Sequence, residues 1–458
     1  MSGMKAKFNT NTPTSIPVGI ISLGCSKNLA DMEAVLAELD NVRVSSPKDS
    51  DIIFLNTCGF LKSARDEVYE NLKNLSNKKV IVLGCMVGLI KEDIFGEYPQ
   101  IADIVSGTNY HNIKNIFHRV LRGEKVYAVS PEPFSFERLN GKSLLTPKSY
   151  AYVKIAEGCD NRCTYCLIPY LKGRFRSRRM EDILEEIKQL VGLGIKEIIL
   201  VSQDCGYYGT DIYGKKKLDV LLQKISKIKG DFWIRVHYIY PERVDEKLLK
   251  VMESSDKICK YLDMPLQHGD PGILRRMLRY SDPKKIIEKV RNIRKMMQEM
   301  TFRTGFIVGF PGETEKQFNT LVSFVKKIKF DHVGVFTYSR EKNTPSYSFP
   351  NQIPQKIKNL RRKKLMLIQQ EISAQKNKSL IGQIQKTLIE NFDRQKNFFH
   401  ATKSRSEPKG EQIERSENLY IGRTMRSSPE VDGKIFIIAP PTGRTPLKLH
   451  EFYQVLIT

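Results

Sequence analysis

Short apolar runs alternate with amphipathic stretches of helical length along most of this chain. Between residues 16 and 126, three β-branched runs (17–23, 51–56 and 79–83) are separated by the helical patterns 28–39 and 63–75. Runs this short and this apolar predict parallel strands buried on both faces. Their β-α-β-α-β order predicts a doubly wound sheet. Asp31 and Glu33 are expected in the opening turn of the first helix, where the helix dipole favours acidic groups. A polar, proline-containing stretch, 131–148, then reads as a connector.

Beyond it, six strand patterns fall at 150–156, 197–203, 233–240, 261–266, 302–310 and 332–338. Helical patterns separate or follow them, the clearest at 180–193, 218–228, 245–252, 283–297 and 315–328. Six βα units suit a partial barrel rather than a closed eight-stranded one. Residues 355–372 predict a basic amphipathic helix, with Ile357, Leu360, Leu365, Ile368 and Ile372 near one face and Arg361 to Lys364 between them. It reads either as a linker packed on the barrel or as a polyanion contact. Short alternating runs at 419–421, 434–438 and 451–457, punctuated by Gly and Pro, predict a small β-barrel. The fold class is α/β with three expected units: a doubly wound domain (16–127), a partial (βα)6 barrel (145–375) and a small β-barrel (376–458).

Cysteine placement carries the chemistry. Cys159, Cys163 and Cys166 form C-x3-C-x2-C directly after the first barrel strand, where barrels of this kind place active sites. A cubane iron–sulfur cluster that only carries electrons takes four thiolates. Three leave one iron open to a ligand. Zinc is the competing reading, but structural zinc usually takes four ligands and no fourth Cys or His lies nearby. Disulfides fit poorly with 8 cysteines in 458 residues, an intracellular usage. A second set, Cys25, Cys58 and Cys85, follows the three N-terminal strands one by one. Strand ends of an open α/β sheet line one crevice, so these thiols are expected to converge. The alternative is three separately buried cysteines, a common fate of free Cys. Cys205 and Cys259 read as structural.

Charge adds a partner class. Lys and Arg number 75 against 51 Asp and Glu, giving +24. Such an excess favours a polyanion, RNA or a ribonucleoprotein, over a solvated basic surface alone. The first residues show no apolar leader and no run approaches the ~20 residues that span a bilayer, so a cytoplasmic protein without membrane contact is expected.

Several of these motifs point the same way. Cys159-x3-Cys163-Thr164-Tyr165-Cys166 resembles the signature of radical S-adenosylmethionine (SAM) enzymes. The segments Ser22-Leu23-Gly24-Cys25-Ser26-Lys27-Asn28, Glu157-Gly158-Cys159, Tyr261 to His268 and Pro429-Glu430-Val431-Asp432-Gly433 resemble the methylthiotransferases of the branch that modifies a ribosomal protein. The likeness runs from about residue 16 to the end. It implies a reaction that adds a methylthio group to the β-carbon of an aspartate in the twelfth protein of the small ribosomal subunit. It implies two [4Fe-4S] clusters and SAM. Cys159, Cys163 and Cys166 would hold the catalytic cluster, and Cys25, Cys58 and Cys85 an auxiliary one. Cofactor contacts are expected from Tyr165, Gln203, Gln267, Arg303, Gly309, Gly312 and Glu313 at barrel strand ends. His268 is expected to be structural. The terminal unit would be a TRAM domain that docks substrate, and an electron donor is required. Two alternatives remain open here: a tRNA adenosine methylthiotransferase, whose first-cysteine motif usually reads Gln-Met-Asn, and a non-catalytic metal-containing RNA-binding protein. Two positions depart from the branch. Ser427-Ser428 replaces Asp-Ala, which puts a polar contact of the terminal unit in doubt. Asn343 replaces glycine in a turn, where Asn tolerates left-handed angles.

Overall fold

The computed structural model describes residues 5–8, 15–130, 141–393, 418–439 and 446–458. The N-terminal sheet has six parallel strands in the order Val42–Ser45, Ile16–Ser22, Ile52–Thr57, Lys79–Gly84, Ile101–Val105 and Val126–Ala128. Helices cover both faces. Ser26–Ala37 and Ile113–Leu121 pack on one through Met32, Leu36, Ile113 and Phe117, and Lys62–Asn74 packs on the other through Val68 and Leu72. The doubly wound expectation therefore holds. The strands not expected are short or at the edge, where little apolar pattern accumulates. One detail is corrected. The first helix opens at Ser26, so Asp31 and Glu33 lie beyond its first turn. Both are buried and serve contacts to the barrel rather than the helix dipole.

The connector reading also needs correction. Gly141–Leu144 is a buried strand, paired in parallel with Lys5–Phe8. Lys142 makes buried ion pairs with Glu33 at 3.1 Å and Glu186 at 3.4 Å. A strand of composition Gly-Lys-Ser-Leu carries no alternation that could announce it.

All six barrel strands form, in sequence order and parallel. Ala151–Lys154, Glu197–Val201 and Trp233–Val236 make one ladder, and Tyr261–Asp263, Thr301–Val308 and His332–Thr337 make the other. The bridge Ile234 to Ile258 joins them. Side chains alternate across this curved sheet with period two. Ala151, Val153, Ile198, Leu200, Ile234, Val236, Leu262 and Phe302 enter the helix-facing core. The interleaved residues, among them Tyr152, Arg235, Tyr261, Arg303 and His332, face the interior.

The long helix Gln355–Lys378 packs on the last barrel strand, His332–Thr337. Its buried face is not the apolar one expected. Lys358, Arg361, Leu365, Gln369 and Ile372 are buried, while Ile357 and Leu360 are exposed. The inward cations find oxygens: Lys358 Nζ donates to Tyr338 O at 2.8 Å and Arg361 to Glu313 O at 3.0 Å. The helix serves as packing first.

Downstream, Ile435–Ala439, Asn418–Thr424, Ile384–Asp393 and Phe452–Leu456 form a four-stranded antiparallel sheet in that order. Its loop 425–433 enters the barrel interior. Glu430 accepts from the hydroxyls of Tyr150 (2.8 Å) and Tyr152 (3.0 Å), and Asp432 from Tyr261 (2.6 Å) and Arg303 (3.3 Å). Ser428, one of the departures noted above, places its hydroxyl 2.8 Å from His237 Nε2, so that position supplies a contact. Asn343 has φ 66°, as its turn requires. Asn343→Val is expected to cost about 1–2 kcal/mol, the left-handed penalty of a side chain that cannot bond locally, whereas Asn343→Gly stays near neutral. Thermal unfolding of both variants checks this.

Candidate active site

The loop carrying Cys159, Cys163 and Cys166 is fastened at each thiol. Gly158 has φ 76°, and a Cβ there would stand 2.1 Å from Arg174 O, so this turn admits only glycine. The Cys159 N–H donates to Gly173 O at 3.1 Å. Asn161 Nδ2 donates to Cys159 Sγ (3.3 Å) and to Asp204 Oδ2 (3.2 Å). Cys163 Sγ lies 2.8 Å from the Tyr240 hydroxyl, and the Arg279 guanidinium stacks 3.5 Å from the Tyr240 ring centroid. Cys166 Sγ accepts from the Ile168 N–H at 3.5 Å. Burial pushes the Cys159 thiol up to about 11 and the Cys166 thiol up to about 12. A metal must therefore displace protons from these sulfurs.

The strand-end cysteines converge as expected. Asn28, on the first helix, ties them together. Its Oδ1 accepts from Cys25 Sγ (3.5 Å) and Cys85 Sγ (3.4 Å), and its Nδ2 donates to Thr57 O (2.7 Å) beside Cys58. Asn56 Nδ2 returns a bond to Asn28 O at 2.7 Å. Gly84, at φ 99°, brings its strand end within 2.5 Å of Thr57 O at the position a Cβ would take. Burial raises the Cys58 thiol and pushes Cys85 up to about 11, with Cys25 adding to both and Cys58 to Cys85. Among the described residues no three His, Cys, Asp or Glu side chains are gathered tightly enough for one metal ion. A cubane takes each thiolate on a different iron, so wider spacing suits it better than zinc.

The two cysteine sets face one another. The helix Ile168–Lys172, just after Cys166, packs on the turn Cys85–Leu89. Lys172 Nζ lies 3.7 Å from Glu157 and 3.9 Å from Asp31, and Lys154 pairs with the same two carboxylates. Burial disfavours charge on Glu157, but Lys154 and Lys172 hold its carboxyl well below the usual range. On the far side, the Lys62 N–H at the open end of helix Lys62–Asn74 donates to Glu341 (2.8 Å), and Arg65 pairs with Glu341 at 2.6 Å. Helices of the N-terminal domain thus grip the first barrel strand through Lys154 and the segment after the last through Glu341. None of Asn28, Glu157, Lys172, Tyr240 or Arg279 was marked as a site residue by sequence. Asn28, three residues after Cys25, carried the clearest signal.

The expected cofactor contacts divide. Gln203 and Asp204 sit beside the Cys159 loop: Gln203 Nε2 donates to Glu157 at 3.0 Å, while Gln203 Oε1 and Asp204 Oδ1 are buried acceptors with no partner. Orphan acceptors next to an open thiol set fit the ammonium or hydroxyl groups of a ligand such as SAM. Tyr165 packs near Ile273, Met277 and Phe310 and lies close to Arg279. Gln267 has φ 71° and its backbone is knit to Gly305 and Ile307. Four of the expected residues meet groups of the protein itself. Arg303 lies low in the interior, spent on Asp263 (3.3 Å) and Asp432. Glu313 is fully buried inside its own turn, where it accepts from the Gly309 and Phe310 N–H groups. The space above Gly309 and Gly312 is filled by Lys358 and Arg276, so those glycines answer to the protein's own side chains. His268 is structural: its Nδ1 accepts from the Asp270 N–H at 2.9 Å. Cys205 and Cys259 are buried in the barrel.

A three-cysteine loop crowning the first strand of a partial barrel defines a radical SAM protein, and residues 153–325 match the Radical SAM superfamily. Residues 17–107 match the uncharacterized protein family UPF0004. The chain is 40% identical over 456 residues to "Ribosomal protein uS12 methylthiotransferase RimO" of Acetivibrio thermocellus, covering 96% of this chain and 95% of that one. It is 41% identical over 447 residues to the protein of the same name from Carboxydothermus hydrogenoformans, covering 96% of each. The chain belongs to the RimO family of methylthiotransferases. Membership brings SAM and a [4Fe-4S] cluster. A solved structure of the radical SAM methyltransferase TsrM from Kitasatospora setae shares the fold, with TM-score 0.53 at 14% identity over 72% of this chain and 77% of that one. No helix among the described residues is long and apolar enough to cross a membrane.

Proposed function

We infer that this enzyme adds a methylthio group to the β-carbon of an aspartate in ribosomal protein uS12. Full-length identity near 40% to uS12 methylthiotransferases carries the substrate assignment. The face-to-face placement of two open cysteine sets supports the chemistry. Cys159, Cys163 and Cys166 would hold the cluster that reduces SAM, and the bound cofactor supplies a radical able to take hydrogen from an unactivated carbon. Cys25, Cys58 and Cys85 would hold a second [4Fe-4S] cluster that presents sulfur. In the protein itself, Tyr240 and Asn161 stand ready to hydrogen-bond ligated sulfurs, which tunes such centres. Gln203 and Asp204 would orient SAM, and the N-terminal domain grips both flanks of the barrel. The unit boundaries 16–127, 145–375 and 376–458, a cytoplasmic setting, an external electron donor and contact between the basic surface and ribosomal RNA belong to this reading. Mass analysis of uS12 and of tRNA nucleosides, from cells with and without the gene, tests it. The expected result is loss of the methylthio group from uS12 alone. Loss from tRNA adenosine with uS12 unchanged would reverse the assignment.

A further inference from the structure

Two cations between the cysteine sets are paired with carboxylates. Asp31 and Glu157 are two carboxylates shared by Lys154 and Lys172. A third cation, Lys27, stands with them and has no such partner. It is half-buried, two residues after Cys25, with Cys205, Tyr238 and Glu157 nearby. Among the described residues no carboxylate lies within 4.0 Å of its Nζ, and none of its three N–H donors makes a hydrogen bond. Its ammonium rests 4.0 Å from the ring centroid of Tyr238. Contact with an aromatic face fixes a cation while leaving its far side unbonded.

Tyr238 is itself held in place for this. It has φ 57°, an outlying conformation for a bulky residue. Its N–H donates to Asp263 Oδ2 at 3.2 Å and its carbonyl accepts from the Cys205 N–H at 2.9 Å. Its ring meets His237 edge-on. The barrel thus supplies a rigid platform, and the N-terminal domain supplies the cation laid on it.

We propose that Lys27 receives the side-chain carboxylate of the substrate aspartate and so holds its β-carbon between the two cysteine sets. This rests on the uS12 reading given above. A carboxylate supplies acceptors that the unbonded N–H donors of Lys27 can meet. The carboxylate is also one bond from the carbon to be modified, so a fixed cation orients the reacting centre rather than a remote part of the substrate. Burying that carboxylate without a partner would be costly, which gives Lys27 a role in choosing aspartate over its neutral amide.

The test uses the full-length enzyme with both clusters reconstituted, uS12 as substrate, and two enzyme variants, Lys27→Met and Lys27→Arg. The expected result is a KM for uS12 raised at least about tenfold in Lys27→Met, the loss typical of a charged hydrogen bond, with iron per chain unchanged. Lys27→Arg recovers most of that loss. Wild-type enzyme is also expected to bind uS12 carrying Asn at the target position at least about tenfold more weakly than native uS12, a comparison that needs no enzyme variant. Three results overturn the proposal. Lowered iron content with unchanged KM for uS12 makes Lys27 a counter-ion of the Cys25 cluster. A raised KM for SAM alone makes it a cofactor ligand. Equal binding of the Asp and Asn forms of uS12 removes carboxylate recognition. A wild-type enzyme that modifies no uS12 defeats the activity reading itself, and is told apart because its failure precedes any variant.

Discussion

Replacing Cys159 with alanine is expected to abolish reductive cleavage of SAM. Cys159 is buried, its N–H is bonded to Gly173 and its sulfur accepts from Asn161, so the loop around it stays shaped when the thiol is gone. What disappears is one of three iron ligands, and a cubane with two is not retained. The enzyme should then carry about half the wild-type iron, held by Cys25, Cys58 and Cys85, and form no 5′-deoxyadenosine. Cys58→Ala is the mirror experiment. It should lose the methylthio product while still cleaving SAM. Anaerobic reconstitution with iron, sulfide and nucleoside assays reads all of this. Deoxyadenosine formed at wild-type rates by Cys159→Ala would end the assignment of that loop as the radical site.

The second large effect is expected far from the chemistry. Glu197 lies on a barrel strand with no solvent exposure, and its two oxygens meet Arg235 and Arg423, each at 2.6 Å. Arg423 belongs to the C-terminal sheet and also pairs with Glu390 at 2.8 Å. Among the described residues, Glu197→Leu leaves Arg235 with no carboxylate and Arg423 with Glu390 alone. Removing one member of a buried ion network typically costs about 3–5 kcal/mol, because the remaining charge stays desolvated. The variant should unfold at a clearly lower temperature. A melting temperature within a degree or so of wild type would mean that water reaches these arginines after all. Glu390→Gln is the milder control, since Glu390 is partly exposed and Glu197 remains for both arginines.

The sequence was most readable where burial is strongest. Runs that lie inside a parallel sheet covered on both faces must be apolar, so the strands at residues 52–57 and 79–84 announced themselves. The cysteines were readable because their spacing has few other uses. The remainder of the site was not readable because it is made of polar residues that matter only by whom they meet. Lys154 and Asp31 are 123 positions apart, and Arg65 and Glu341 are 276 apart. The contacts of Glu313 and Arg303 were unreadable for the same reason. Each has ligand-binding chemistry, and each is consumed by a partner that no local pattern reveals. The basic helix shows the reverse case, since its cations at 358 and 361 point inward to carbonyl oxygens and carboxylates.

The loop 425–433 that fills the barrel interior has a consequence for biosynthesis. Its partners Tyr150, Arg235, Tyr261 and Arg303 are all translated earlier, and the last barrel strand ends at Thr337. At about 5–20 residues per second, the interval before the loop is made is on the order of ten seconds. Throughout it the nascent barrel holds Arg235 and Arg303 in a hollow lacking part of their native carboxylate and carbonyl partners. Completion of the hollow therefore waits until residues 425–433 have been translated. Truncated chains released from stalled ribosomes should be handled as unfinished by proteases, even when every cysteine is already present.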